Sequence, residues 1–510
     1  MIRSVVTTYA ARFAAILTTL LLLPIVVSHV GTASYGLYTS TVSLSVLFSI
    51  DLGMGASSTR YAAAYAAAND TQGLRTITAV TSLFFLAVGF VMSAIFAVCL
   101  VIVLGKTHIP PDLTDEAREL AILAVANLAV SMALASHRQI LAGVGRIDIA
   151  NYTQIAQSVI RVVATVLALQ LGLGIVTVGL IDLVAAGTCG GAAWILRRKF
   201  CPSTIATPAD ATSSELRKVA KLGASVMIMN VAGLAIMQGG PVIAGLAMSL
   251  TAATIYTVAN RAYLLAREVT NSLTTALLPH ASARSAHSSA HSLRDLYLQG
   301  TAATNMLVIL VVVPLSVFMY PILQLWVGPE LAVAAIPAQI LVASMLINNN
   351  HLVAIPILTA YEKLRPYALL HLIWATTGII SAYVLGREFG AIGVAAGLVL
   401  PMILLEPLYV LIAVRLTGAK ISDFARQCLF RPIAISIVPS LALFAIGAKV
   451  ERSIILVILT TVVWVVLMLL LLYKFGASKQ MKLSIKSRVA GRIQWRRTRF
   501  QRALAQRGER

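Results

Sequence analysis

A succession of about fourteen apolar runs, each long enough to cross a bilayer, constrains this chain more than any other feature. A spanning helix needs about 20 mostly apolar residues. The runs centre near residues 20, 48, 90, 130, 161, 184, 233, 265, 310, 346, 377, 403, 440 and 463. Only 12% of the residues are charged and 59% are hydrophobic, whereas a soluble domain carries about 25% charge to cover its surface. The expected fold is all-α, a polytopic membrane protein in which no segment between runs is long enough to be a separate domain. The first run follows Arg3 and Arg12; because further spans follow at once, it reads as an uncleaved first helix rather than a signal peptide.

Lys and Arg then set the topology. The loops joining spans 2–3, 4–5, 6–7, 8–9, 10–11 and 12–13, with both termini, hold about 32 of the 40 basic residues. The other loops hold Lys106, Arg118, Arg387, Lys449 and Arg452, together with acids such as Asp112, Asp115 and Glu330. Basic loops stay cytoplasmic, which places both termini inside, and an even helix count agrees. Most of the net charge of +21 is therefore topological, and nucleic acid is a poor partner for it. The tail from Lys474 carries twelve Lys/Arg against Glu509. Ile485, Val489, Ile493, Phe500 and Leu504 share a face there, the pattern of an amphipathic helix on an anionic inner leaflet; a solvated tail is the alternative. Cys99 and Cys189 fall in spans, Cys201 and Cys428 in cytoplasmic loops, with neither disulfide nor zinc spacing.

Two pairs of segments recur at one offset of about 218 residues. Thr32–Thr39 lies over Leu250–Thr257, and Gly172–Leu180 lies over Gly390–Leu398. Six spans separate the copies, so the halves point the same way through the membrane, with a site expected between them. The expected organisation is a lobe over 1–200, a linker over 201–220, a second lobe over 221–418, two added helices within 430–474 and a basic tail over 475–510. Loops on the outer face are short, the longest near Gly105–Asp115, which leaves little room for an extracytoplasmic catalytic domain.

Ionisable groups in the bilayer core cost a few kcal/mol or more and mark cavities, partners or substrates. In span 5, Asn151, Gln154, Ser158, Arg161 and Thr165 step by three and four along one face. Such a stripe lines water or is buried against other helices. Span 8 carries Asn260, Arg261, Arg267, Glu268 and Asn271. Arg261 and Glu268 lie about 10 Å apart along the axis, too far to pair, and Arg261 falls near mid-membrane. Arg161, Arg261 and Arg267 are the expected cavity cations; the alternative for Arg261 is neutralisation by a carboxylate on another helix. Asp51, Glu268 and Asp182 are candidates for coupling an ion or gating, with H+ or Na+ as the ion and no other cofactor. Asp51 falls beside Glu268 under the repeat offset and precedes Gly53 and Gly55; it gates the chamber or satisfies backbone groups that the glycines free. Asn348, Asn349, Asn350 and His351 form a polar block in span 10 before Pro356, which is expected to kink the helix; Asn349 is taken to line a cavity. His371 and Trp374 read as interfacial anchors. No Walker-type phosphate loop, HExxH or nucleophile elbow is present; no enzymatic activity is expected, and transport without an ATPase is expected to run on an ion gradient, the substrate's own gradient or a partner.

Val30–Tyr38, then Asp51–Tyr61 and Asn69–Arg75, resemble the N-terminal region of polysaccharide-precursor flippases. These are the O-antigen and exopolysaccharide exporters of the multidrug/oligosaccharidyl-lipid/polysaccharide exporter superfamily. Tyr256–Ala262 leading to Leu277–His280 resembles that family's eighth helix. The resemblance spans about residues 1 to 475 and implies a MATE-like, V-shaped pair of six-helix lobes around a cationic cavity. It implies a substrate too: an undecaprenyl-pyrophosphate-linked oligosaccharide turned from the cytoplasmic to the periplasmic leaflet for lipopolysaccharide or exopolysaccharide synthesis, handed on to polymerase machinery. Related lipid II flippases carry arginines in helices 1, 2 and 8. Arg261 matches the last, Arg12 lies near an end of helix 1, and helix 2 has no mid-helix arginine, which argues against lipid II as the substrate. An ion-coupled drug or cation antiporter of the same fold is the alternative. A membrane-embedded polymerase fits the parallel repeat and short loops less well.

Overall fold

The computed structural model describes residues 2–285, 290–360, 364–450 and 453–476, and every regular element in them is helical. In chain order the α-helices are α1 (Ile2–Phe48), α2 (Met54–Ala67), α3 (Thr71–Lys106), α4 (Thr114–Gly143), α5 (Ile147–Gln170), α6 (Ile175–Phe200), α7 (Ser213–Ala247) and α8 (Leu250–Ser285). They continue with α9 (Ala290–Val317), α10 (Met319–Val327), α11 (Ala335–Leu352), α12 (Ala354–Ala360), α13 (Arg365–Thr417), α14 (Ile421–Phe424), α15 (Arg431–Val450) and α16 (Ile454–Leu471). The tail beyond Gly476, with its expected amphipathic face, lies outside the described residues.

Among the described residues, 11 helical stretches are long and apolar enough to cross a membrane. Two of them make two passes each. A straight helix the length of α1 would reach about 70 Å, more than twice a hydrocarbon core of about 30 Å. It folds back instead at Gly31, whose φ is 82°, a left-handed value that glycine adopts without steric cost. Thr18, Leu22 and Val26 on one limb consequently share a cavity wall with Tyr35, Tyr38 and Val42 on the other. α13 folds back at Gly390 (φ 58°), where Ser381 Oγ–H donates to Gly397 O across the hairpin at 2.6 Å. With α8, of 36 residues, the passes among the described residues number fourteen, as the apolar runs predict.

The internal repeat is physical. Gly172 and Gly390, one repeat apart, both turn the chain with positive φ, 75° and 58°. Thr39 and Thr257, also 218 apart, bring their hydroxyls within 3.3 Å of each other. A residue that touches its own repeat mate lies on the axis relating the halves. Passes 1–6 and passes 7–12 thus form two like-oriented lobes. α15 and α16 pack outside them against α9, through Met306, Ile309, Leu443, Trp464 and Met468.

Proline shapes the passes and recruits polar side chains to them. A helical proline frees the carbonyl four residues earlier, and in a bilayer that oxygen must find another donor. Pro24 frees Leu20 O, which accepts from Trp326 Nε1 at 2.8 Å. Pro241 frees Met237 O, which accepts from Asn260 Nδ2 at 3.1 Å. Pro401 frees Gly397 O, the acceptor of the Ser381 hydroxyl. Pro356 coincides with the expected break in pass 10: α11 ends at Leu352 and α12 begins at Ala354.

Candidate functional site

The two lobes meet around a central cavity of about 100 Å³, lined by both limbs of α1, Arg161 of α5, Val178 of α6 and Arg261 of α8. The two arginines come from different lobes and lie at similar depth. Counting 1.5 Å per residue, Arg161 sits about 14 Å from the Gln170 end of α5 and Arg261 about 16 Å from the Leu250 end of α8. Both were expected in the cavity, and both are there. Their electrostatic situations differ.

Arg161 is already paired. Its Nη2 donates to Tyr38 Oη at 2.7 Å and to Asp182 Oδ2 at 3.2 Å. Its Nε lies 2.5 Å from Asp182 Oδ1, off the hydrogen-bonding direction. Tyr38 closes the ring by donating to Asp182 Oδ2. Asp182 is therefore the counter-ion of Arg161, not a free gate or coupling carboxylate. This follows from the low dielectric, where a buried charge without a partner costs far more than a paired one. Arg261 is half-buried, and no carboxylate pairs with it among the described residues. It shares the cavity wall with Tyr35, whose ring centre lies 6.2 Å from that of Tyr38. One lobe thus presents a neutral Tyr–Arg–Asp wall, and the other an uncompensated cation.

Both ends of the cavity are shut. On the side away from the termini, Thr254 Oγ1–H donates to Thr32 O at 2.6 Å. Gly36 approaches Leu250 so closely that a Cβ there would fall 1.9 Å from Leu250 O. On the termini side, Arg12 of α1 and Glu268 of α8 form a half-exposed ion pair at 3.3 Å. Tyr65 of α2 donates to Glu215 of α7 at 2.7 Å, and Lys218 donates to Tyr65 at 3.0 Å.

The other expected site residues disperse. Asn151 donates to Thr7 and Thr8 at 3.1 and 3.0 Å, so it joins α5 to α1 instead of wetting the cavity. Gln154 is exposed, Ser158 half-buried and Thr165 buried. The stripe splits because its residues meet different surroundings along α5: α1 takes up Asn151 through Thr7 and Thr8, while Gln154 stays exposed. Arg267 donates to Tyr263 Oη and contacts Met237 Sδ, both at 3.2 Å. Asn260 is buried on Met237 O, and Asn271 is half-buried. Asn349 lies in the interior of the second lobe, donating to Asn305 Oδ1 at 2.7 Å, and Asn305 donates to Asn350 Oδ1 and Cys428 O at 2.8 Å each. Cys428 is buried in a helical stretch, not a loop. Asp51 occupies the break between α1 and α2, where Leu52 and Gly53 have φ of 51° and 77°. Its two oxygens accept from Gly53 N and Gly55 N at 3.0 Å each. Of its two readings, the geometry matches satisfaction of freed backbone groups. His371 and Trp374 are buried in the second lobe and are not interfacial anchors. Tyr38, which joins Arg161 to Asp182, was missed; its one signal in the sequence is its place in the repeated Thr32–Thr39 segment.

Solved structures that share this arrangement include membrane transporters and a flippase. An inward-facing multidrug resistance MATE family transporter of the MOP superfamily superposes with a TM-score of 0.69 at 15% identity, over 79% of this chain and 94% of its own. The lipid II flippase MurJ in an inward closed conformation gives 0.68 at 15% identity, over 91% of this chain and 98% of its own. An outward-facing MATE family transporter gives 0.59 at 16% identity, over 82% and 95%. At such identities the likeness is one of fold. No curated protein matches the sequence. The sequence profile of the family described as "Polysaccharide biosynthesis protein" matches residues 2–285, more than half of the 510, and the chain belongs to that family.

Proposed function

We propose that the protein is a flippase that carries an undecaprenyl-pyrophosphate-linked oligosaccharide from the cytoplasmic to the periplasmic leaflet of a bacterial inner membrane, with both termini cytoplasmic. The observation that carries this reading is Arg261, an unpaired cation facing a neutral wall on the pseudo-symmetry axis. An ionised arginine away from bulk water favours an anionic ligand, and its planar donor fork matches phosphate oxygens. Tyr35 and the outer N–H groups of Arg161 supply further polar contacts to phosphate or sugar.

A cavity of about 100 Å³ is small beside the 300–1,000 Å³ of ordinary ligand pockets. The conformer described is therefore contracted, and loading requires the termini-side contacts, Arg12–Glu268 and Tyr65–Glu215, to part. The prenyl chain needs only hydrocarbon. An apolar groove of about 550 Å³ between α9, α11 and α15, walled by Val308, Val312, Leu346, Ile437 and Phe444, offers it a place apart from the polar site. A drug or cation antiporter of the same fold needs an available carboxylate in the chamber. Here Asp182 is held by Arg161, Glu268 by Arg12 and Asp51 by backbone N–H groups, which favours the anionic substrate.

The test is Arg261→Ala in the native host. Surface polysaccharide should be lost and the lipid-linked intermediate should accumulate in the cytoplasmic leaflet, with the protein present at its usual level. Normal surface polysaccharide in that strain refutes the assignment.

A further inference from the structure

The second lobe encloses a polar centre separate from the arginine cavity. His351, at the end of α11, and Glu406, in the second limb of α13, bring Nδ1 and Oε2 to 2.6 Å, with side chains only 1% and 6% exposed. The other two heteroatoms of the pair, His351 Nε2 and Glu406 Oε1, are buried without a hydrogen-bond partner among the described residues. Aromatic rings close around them. Tyr409 stacks on His351 at 4.4 Å, while His371, Trp374 and Tyr367 meet it edge-on at 5.6, 6.2 and 6.3 Å.

Among the described residues, no cation stands beside the pair to balance Glu406. The titratable groups facing the pair are Tyr367 and His371 from the first limb of α13, Tyr409 from the second, and Tyr297 of α9 beside Cys428. Arg267 of α8 acts on His371 from farther out. α7 contributes apolar Ala232 and Ile236 against Trp374. With one shared proton the pair is net −1, and with two it is neutral. In a site of low dielectric these two states demand different surroundings, because a net buried charge needs water or a counter-ion and a neutral pair needs neither.

Both residues also sit where their helices can bend. His351 lies two residues before the α11–α12 break at Val353, and Glu406 directly precedes Pro407. α11 and α12 in turn pack against α8, the helix that carries Arg261 and Glu268.

We propose that His351 and Glu406 form the proton-binding site that couples transport. One proton from solvent adds at His351 Nε2 or at Glu406, taking the pair from net −1 to neutral, and its loss bends passes 10 and 12 and shifts α8 against the other lobe. The site rests on the transport reading but not on which lipid-linked sugar is carried.

The experiment uses the full chain in lipid nanodiscs without any substrate. Spin labels at Gln72 and Lys420, exposed on the termini side of the two lobes, report the inter-lobe distance as pH is varied, and infrared difference spectra follow carboxylic acid bands over the same range. The wild type should show a pH-dependent distance shift together with a titrating carboxylic band. Glu406→Gln should lose both, and His351→Gln should lose the distance shift. A distance that does not move with pH, or one that moves equally in both variants, overturns the proposal. Should Glu406→Gln fail to fold, the distance shift in His351→Gln decides alone. A pH-invariant wild type beside a glycan-deficient Arg261→Ala strain removes the proton site and keeps the flippase. The opposite pair of results removes the flippase and keeps the proton site.

Discussion

The two cavity arginines make opposite predictions, and the contrast tests the assignment of the site. Replacing Arg161 by Ala strips Asp182, only 13% exposed, of its counter-ion and leaves it the Tyr38 hydroxyl alone. Breaking a fully buried pair costs about 3–5 kcal/mol; with the Arg161 side chain 36% exposed, solvent screening reduces this to about 1–3 kcal/mol of stability. The double variant Arg161→Met/Asp182→Leu should recover most of it, since no orphaned charge remains. Replacing Arg261 by Ala removes a cation that nothing among the described residues compensates, so stability should hold or rise slightly. What it loses is a charge-assisted contact to phosphate, about 1.5–3 kcal/mol, or about a 10- to 150-fold weaker affinity at 1.4 kcal/mol per decade. The native cysteines supply the assay. Cys189, Cys201 and Cys428 are buried, so a thiol-reactive fluorophore follows their exposure as purified protein is heated. The order expected is wild type close to Arg261→Ala and to the double variant, with Arg161→Ala clearly lower. If Arg261→Ala melts as early as Arg161→Ala, Arg261 holds the fold together and is not the waiting cation.

Gly36→Val should prevent the close contact of α1 with Leu250, because even a Cβ would overlap Leu250 O at 1.9 Å. A cysteine pair at Thr32 and Thr251, whose hydroxyls lie 3.5 Å apart, should then cross-link readily in the parent and poorly in the Gly36→Val background; equal yields contradict the contact. Asp51→Ala should cost about 0.5–2 kcal/mol, the range for losing a helix cap, while Asp51→Asn, which keeps one acceptor oxygen, should cost less. Thermal melts check both, and full stability in Asp51→Ala contradicts the capping role. Asn260→Ala should leave Met237 O unpaired in the bilayer and cost about 1–3 kcal/mol, lowering the melting midpoint without changing inter-lobe cross-linking.

Much of the fold was legible because the bilayer imposes few solutions. Apolar runs of spanning length give the passes, and the shared offset gives the parallel halves. Thr39 and Thr257, aligned by sequence alone, touch across the axis. The hairpins at Gly31 and Gly390 merge neighbouring helices without altering the count of passes. The site was less legible. Periodicity places Asn151, Arg161 and Thr165 on one face but cannot say which neighbouring helix covers each part of it. Asn349 and His351 share a polar block, yet their partners Asn305 and Glu406 lie 44 and 55 residues away. No local pattern reports pairing at that range.

Inside a membrane a polar side chain therefore has two quite different reasons to exist, and spacing does not separate them. Asn260, Ser381 and Trp326 answer carbonyls that prolines expose. Asp182 answers Arg161, and Asp51 answers Gly53 and Gly55. Each is accounted for by the fold itself, and removing it should register first as instability. Arg261 is accounted for by nothing in the described fold. An ionised group at mid-membrane without a counter-ion is costly to keep, so its natural complement is an anion that arrives from outside the chain. On that proposed reading, a ligand whose charge is delivered during the cycle and then released leaves the cation unpaired in the contracted state. The flippase reading proposed above ties the unpaired arginine to the small closed cavity around it: the charge would be exposed when the lobes part, neutralised when substrate enters, and bare again once the substrate has left.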